Sequence, residues 1–145
     1  MKLANESLTE TSTGSLHIHL PFGLIGLADL TQFAVAPIEG SWPFQSMRST
    51  GDESCEFVVL EPNGFIPDYK LEISDEDAGA LRIENAEDAL VLNIVTVHSS
   101  HPQRVTVNLA GPVLVNRRTL VGKQVILANC ELYSTRYVLV DERAN

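Results

Sequence analysis

The sequence has little of what usually announces chemistry. It holds two cysteines, Cys55 and Cys130, far apart and outside any C-x-x-C spacing. That excludes a thiol redox motif, a zinc ribbon and a disulfide framework. Each lies in an apolar, strand-like segment and reads as a buried free thiol. Basic residues are scarce: 10 Lys and Arg stand against 19 Asp and Glu, for a net charge of -9. Little here would neutralise phosphates, so nonspecific nucleic-acid binding is disfavoured. An acidic surface suits a basic partner, or simply solubility. No apolar run approaches the roughly 18 residues of a membrane span. Met1-Lys2-Leu3 leads into a polar stretch rather than a signal-peptide core, so the expected location is the cytoplasm. No G-x-S-x-G, phosphate loop or H-E-x-x-H occurs.

What is present is a foldable chain. Its 145 residues are 44% hydrophobic, enough for one domain that needs no metal or disulfide staple. Residues 1–15, rich in Ser, Thr and Glu, are expected to form a mobile tail. Residues 16–140 form the domain, and 141–145 a C-terminal tail. Within the domain, alternation dominates. Leu16 to Leu20, Tyr69 to Ile73 and Val105 to Leu109 place apolar side chains on one face and polar ones on the other, as half-buried strands do. Phe57 to Leu60 and Val91 to Val97 are apolar on both parities and read as central strands covered on both sides. Val113 to Val115, Gln124 to Ala128 and Arg136 to Val140 complete the set. Asn63-Gly64 marks a turn, and Gly23 to Gly26 forms a tight one. Ser74 to Asp77 has the spacing of a helix start, leading into Ala78 to Leu81. Asn85 to Ala89 suits a further single turn. The expected fold is all-β and mainly antiparallel: a small barrel-like domain with one or two short helices.

Candidate chemistry is sparse. His17 and His19 share a strand face, and His98 and His101 form H-x-x-H in what reads as an exposed loop. Four imidazoles can in principle hold zinc, which makes a small histidine-ligated metal enzyme the rival reading. A cupin-type site needs a Glu a few residues after its H-x-H. Leu20 to Ile38 contains none, so no metal or cofactor is expected. Asp75-Glu76-Asp77 lacks the alternate oxygen ligands of a calcium loop, and acids belong at a helix start anyway. Trp42-Pro43-Phe44 suits either an exposed aromatic anchor or loop packing. The sequence leaves both open.

The order of segments carries a resemblance. Phe22-Gly23-Leu24-Ile25-Gly26-Leu27, then Pro43-Phe44-Gln45-Ser46-Met47-Arg48-Ser49, Phe57 to Pro62 and Pro67-Asp68-Tyr69 succeed one another. Thr106-Val107-Asn108-Leu109-Ala110-Gly111-Pro112-Val113-Leu114-Val115-Asn116 follows, and then Gly122-Lys123-Gln124. Together they resemble the FliW family over roughly residues 16 to 140. Leu27, Met47 and Gly111 depart from the residues usual there, an aromatic, Leu and Ala. The resemblance implies a non-enzymatic protein that binds flagellin in the cytoplasm. It also implies binding to CsrA, a basic translational repressor, with the two partners exchanging. For a basic partner the candidate contacts are Glu61, Asp75, Glu76, Asp77, Glu87 and Asp88. Asn108 and Asn116 are candidates for recognition, or else satisfy local backbone groups.

The missing ligand pattern generates a prediction. The protein should purify without stoichiometric zinc, iron or copper. Elemental analysis finding about one metal per chain, lost on changing His17 and His19 to Ala, would overturn it.

Overall fold

Alternation and turn chemistry are enough to build a sheet, and the computed structural model shows how it is laid out. It describes residues 1–4, 14–51 and 55–142. In chain order the strands are β1 (Lys2–Ala4), β2 (Leu16–His19), β3 (Gln32–Pro37), β4 (Gln45–Ser49), β5 (Glu56–Leu60) and β6 (Lys70–Glu72). They continue as β7 (Ala89–Ser100), β8 (Gln103–Val107), β9 (Val113–Asn116), β10 (Gly122–Gln124) and β11 (Tyr137–Asp141). Helix is minimal: α1 (Asp75–Ala80) and 3-10 turns at Ala86–Asp88 and Cys130–Leu132. Among the described residues, no helix is long and apolar enough to cross a membrane.

The main sheet runs β10-β9-β7-β5-β4-β3-β2, with β8 on β7 and β11 on β8. Every strand pair in it is antiparallel. A single bridge, His19 to Val121, links the β2 end of this path to the residue before β10. β1 and β6 pair separately.

β7 organises the rest because both its faces are buried over residues 89–95. Ala89, Val91 and Val95 join a first core with Leu3, Tyr69, Leu71, Leu81, Leu114 and Leu127. Leu90 and Leu92 join a second with Ile18, Leu20, Phe33, Met47, Val113 and Val115. β9 divides in the same way, Leu114 to one side and Val113 and Val115 to the other. β5 does too, with Leu60 in the first core and Val59 in the second. The double apolar parity of residues 57–60 and 91–95 therefore marks strands covered on both sides, whereas Thr96 and Val97 are exposed, so the double cover expected over 91–97 stops at Val95.

One polar residue interrupts the first face of β7. Asn93 is fully buried and donates through Nδ2 to the Tyr69 hydroxyl at 3.1 Å and to the Asn108 carbonyl at 3.0 Å. The Tyr69 hydroxyl in turn donates to the Leu109 carbonyl. Burial pushes the Tyr69 phenol far above its ordinary pKa, against a smaller lowering by Asn93, so the group stays a donor.

Several expectations need correction. The first residues are not a tail: Lys2–Ala4 form β1 against β6, and Leu3 is buried. Leu3 is the one large apolar side chain of this strand, and Met1 before it also packs on the first core. Residues 5–13 of the expected tail lie outside the described residues. At the other end, Asp141 belongs to β11, and Glu142 accepts from the Gln103 N–H at 2.7 Å. Residues 143–145 lie outside the described residues. The strand expected at 124–128 is β10, two residues earlier, because Val115 and Leu114 pair with Gly122 and Lys123. β3 and β4 were not anticipated. Ser99 and Ser100 extend β7, so His98 sits on a strand and only His101-Pro102 turn into β8. Both cysteines are free and half-buried rather than buried.

The seating of β1 is testable. Leu3→Ala should destabilise the protein by about 2–5 kcal/mol, as for a buried leucine. Urea unfolding checks it, and an unchanged midpoint would return Leu3 to a tail.

Candidate functional site

The acidic candidates separate into two groups once their neighbours are known. Ser74 caps α1, its Oγ accepting from the Asp77 N–H at 3.1 Å. This fixes the first turn and leaves Asp75 and Glu76 exposed. Asp77 points inward instead. It is 9% exposed and takes the Lys123 ammonium at 2.6 Å. It is therefore corrected from a free surface acid to half of a partly buried ion pair. Glu61 lies 3.7 Å from Arg117 and accepts from Gln45 Nε2 at 2.9 Å. Asp88 lies 3.6 Å from Arg118, while Glu87 is exposed. Glu61 and Asp88 thus meet consecutive arginines of the β9–β10 turn, and the Arg117 N–H donates to the Asp88 carbonyl at 2.8 Å. These two acids anchor a turn.

Both asparagines make the local backbone bonds that were one of their two readings. Asn108 Oδ1 accepts from the Ala110 and Gly111 N–H groups at 3.1 and 2.9 Å. Asn116 is buried, and its Oδ1 accepts from the Arg118 and Thr119 N–H groups at 2.8 and 3.3 Å. Its Nδ2 donates to the Leu81 carbonyl at 2.9 Å and the Arg82 carbonyl at 3.3 Å. Both residues satisfy backbone groups that strand ends leave open. Their side-chain polar atoms bond to their own chain. Near Asn108, a Cβ added at Gly111 would meet the Asn108 and Gln124 side chains at 3.5 Å or more. The alanine usual in the family would therefore fit.

The histidines do not gather. His17 and His19 face outward from β2, and His19 Nδ1 lies 3.1 Å from Gln32 Nε2, which donates. His98 lies 2.8 Å from the Thr106 hydroxyl, and His101 is exposed at the hairpin tip. Among the described residues, no group of three or more His, Cys, Asp and Glu is placed to hold a metal ion.

The surface that sequence reasoning missed is apolar. Phe22, Ile25 and Leu27 are 70%, 62% and 41% exposed in one short loop. Leu24 and Leu27 exchange backbone hydrogen bonds across Ile25-Gly26, and Gly26 takes the positive φ of 85° that this turn requires. Gly23, at φ 65°, would drive any Cβ to 2.7 Å from the Ala28 backbone. Gln124 holds the loop from below, its Oε1 accepting from the Ile25 N–H at 2.9 Å and its Nε2 donating to the Gly111 carbonyl at 3.0 Å. The Lys123 ammonium stands 5.9 Å from the Phe22 ring. The one signal in sequence was an apolar loop between two glycines, which also describes a loop tucked into a core. Trp42 is likewise open, 82% exposed and edge-on to Phe65 at 5.1 Å. Its neighbour Phe44 packs on the first core, so that tripeptide divides between the two readings.

Asn116 offers a test of the structural assignment. Asn116→Ala should cost about 1–3 kcal/mol, because buried backbone groups lose their partners. Denaturant unfolding measures it. Loss of partner binding with an unchanged unfolding midpoint would restore Asn116 to an interface.

Comparison with known proteins agrees with this architecture. The family model described as "FliW protein" matches residues 4–139. The flagellar assembly factor FliW of Natranaerobius thermophilus is 34% identical over 126 residues, covering 87% of this chain and 83% of that protein. The protein of the same name from Clostridium novyi is 37% identical over 120 residues, covering 83% and 82%. A solved crystal structure of the flagellar assembly factor FliW superposes with a TM-score of 0.78 at 29% identity, covering 88% of this chain and 87% of the other. The chain belongs to the FliW family.

Proposed function

We propose that this protein is a flagellar assembly factor that binds flagellin in the cytoplasm. We further propose that it antagonises the translational repressor CsrA by partner switching. Family membership carries the reading: the family model spans residues 4–139, and relatives above 30% identity are flagellar assembly factors by name. The role is binding without catalysis, a linkage of two equilibria in which flagellin and CsrA oppose one another. While flagellin is retained the protein is occupied. Once flagellin is exported, the freed protein takes up CsrA. The net charge of -9 suits a basic repressor.

Residues 16–140 are the binding domain in this reading, with β1 added to it as a separate edge. We take its sheet as a small barrel, for which the His19–Val121 bridge and the His19 N–H to Leu120 carbonyl bond at 2.9 Å are the support.

Purified protein should bind each of flagellin and CsrA, and excess flagellin should release CsrA. Binding to neither would end the proposal. Association with CsrA should also slow as salt rises, because attraction beyond roughly 8 Å is screened at physiological ionic strength. Dissociation should change less. Reversing Asp75 and Glu76 to Lys should slow association further if α1 faces CsrA. Asp77 is left intact in this variant, since its charge neutralises Lys123. Surface-immobilised binding kinetics at several salt concentrations test this. An association rate indifferent to salt would remove the electrostatic part.

A further inference from the structure

Resting on the partner-switching reading above, we infer that the loop of residues 22–27, together with Ile126, is a preformed docking surface for a basic protein segment. That segment carries large apolar side chains between its Lys and Arg residues. It belongs to the basic partner rather than to flagellin.

The apolar part of this surface has no role in either core. Phe22 and Ile25 are 70% and 62% exposed, and Ile126 is 55% exposed. Ile126 shares a face with Gln124, whose side chain holds the loop. Val125 and Leu127 bond to the Pro112 and Ala110 carbonyls and point into the first core. Alternation therefore turns Gln124 and Ile126 to the opposite face. Gln124 reaches the Ile25 N–H from that face, and Lys123 stands beside Phe22. A loop of large apolar side chains held open to water is a binding feature, since exposure adds nothing to folding.

The loop is rigid before any partner arrives. Leu24 is buried as its anchor, and the Leu24–Leu27 bridge closes it. Gln124 ties it to the Gly111 carbonyl. A docking element that is already ordered loses little freedom on binding, so more of the contact appears as affinity.

Charge selects the occupant. Asp29 is exposed just past the loop, and Asp75 and Glu76 are exposed on the turn whose Asp77 grips Lys123. The Lys123 ammonium beside Phe22 is thereby neutralised by a carboxylate, while Asp29 and Glu76 stay exposed and Asp75, also exposed, lies 3.8 Å from the Met1 ammonium. An acidic segment would be repelled here. A segment that alternates basic and apolar side chains matches both parts of the surface.

The test compares wild type with Phe22→Ser/Ile25→Ser and, separately, Ile126→Ser. Binding to purified CsrA and to purified flagellin is measured by surface-immobilised kinetics. Circular dichroism melting verifies the fold of each variant. Sedimentation reports self-association. The double variant should bind CsrA at least about tenfold more weakly, mainly through faster dissociation, as loss of buried anchors does. Ile126→Ser should weaken it in the same direction, which keeps the test decisive if the double variant folds poorly. Folded variants that bind CsrA as tightly as wild type would overturn the inference and leave partner switching standing. Loss of flagellin binding with CsrA binding intact would give the face to flagellin and overturn it. A wild-type dimer made monomeric by the variants, with CsrA binding unchanged, would give it to a second copy and also overturn it. A wild type that does not bind CsrA would remove the partner-switching reading and the inference together.

Discussion

β7 must be buried on both faces, and this requirement places nearly everything else. Its odd residues Ala89, Val91 and Val95 line one core, and its even residues Leu90 and Leu92 line another. A strand buried this way over residues 89–95 cannot lie at the surface, so its edges need partners, while Thr96, Val97 and His98 further along its twelve residues are exposed. It finds three: β9 along 89–92, β5 along 93–95 and β8 along 95–100. Each face then needs a cover. β2, β3, β4 and the loop carrying Leu24 supply one. β1, β6 and α1 supply the other. The covers are short because β7 and β9 already provide the apolar floor of both cores.

A floor of this kind leaves backbone groups to satisfy wherever a strand ends inside it. The chain does this repeatedly with asparagine, whose amide carries the donor and acceptor of a peptide group without a charge to desolvate. Asn108 and Asn116 close strand ends. Asn129, also buried, accepts from the Glu72 N–H and donates to the Lys70 carbonyl. The Lys70 N–H donates to the Tyr133 hydroxyl, and the Ala128 N–H donates to the Glu72 carbonyl. The outer edge of β6 is thus occupied by side chains and loop backbone, which keeps an otherwise open edge from pairing with another chain. Tyr69 and Asn93 repeat the device deeper in the first core.

These facts explain what was legible in the sequence. Strands with two apolar parities, such as 57–60 and 91–95, announced their burial because a doubly covered strand reads that way, although Val97 continues the apolar pattern and is 50% exposed. The helix start at Ser74 was legible because its capping interaction is local. β3 and β4 were not. β3 alternates Phe33 and Val35 with small alanines and ends at Pro37. β4 offers one large apolar side chain, Met47, and buries Ser49 opposite Phe33. Their pairing is set by neighbours far along the chain, which local pattern cannot show. β1 was hidden for the same reason, three residues whose one large apolar member, Leu3, is seated by β6. The candidate site was legible as a charge sign and not as a surface. Asp77, Glu61 and Asp88 look like Asp75, Glu76 and Glu87 in one dimension. Only the fold reveals that the first three meet Lys123, Arg117 and Arg118.

That division matters for how an acidic protein recognises a basic one. Acids committed to ion pairs fix local geometry: Glu61 and Asp88 hold the β9–β10 turn, and Asp77 holds Lys123. They still count in the net charge, so they contribute to the long-range field that steers encounter. They contribute little at contact, because their nearest opposite charge is already present. Contact must come from groups that are open, and these are the exposed acids and the apolar loop. The loop can stay open because the cores do not need it. Leu24 and the Gln124 side chain anchor it, and Gly23 and Gly26 set its shape. In the proposed partner switching, long-range attraction governs how often a partner arrives, and the proposed docking of Phe22, Ile25 and Ile126 governs how long it stays. A partner-exchanging protein benefits from keeping those two controls on different residues.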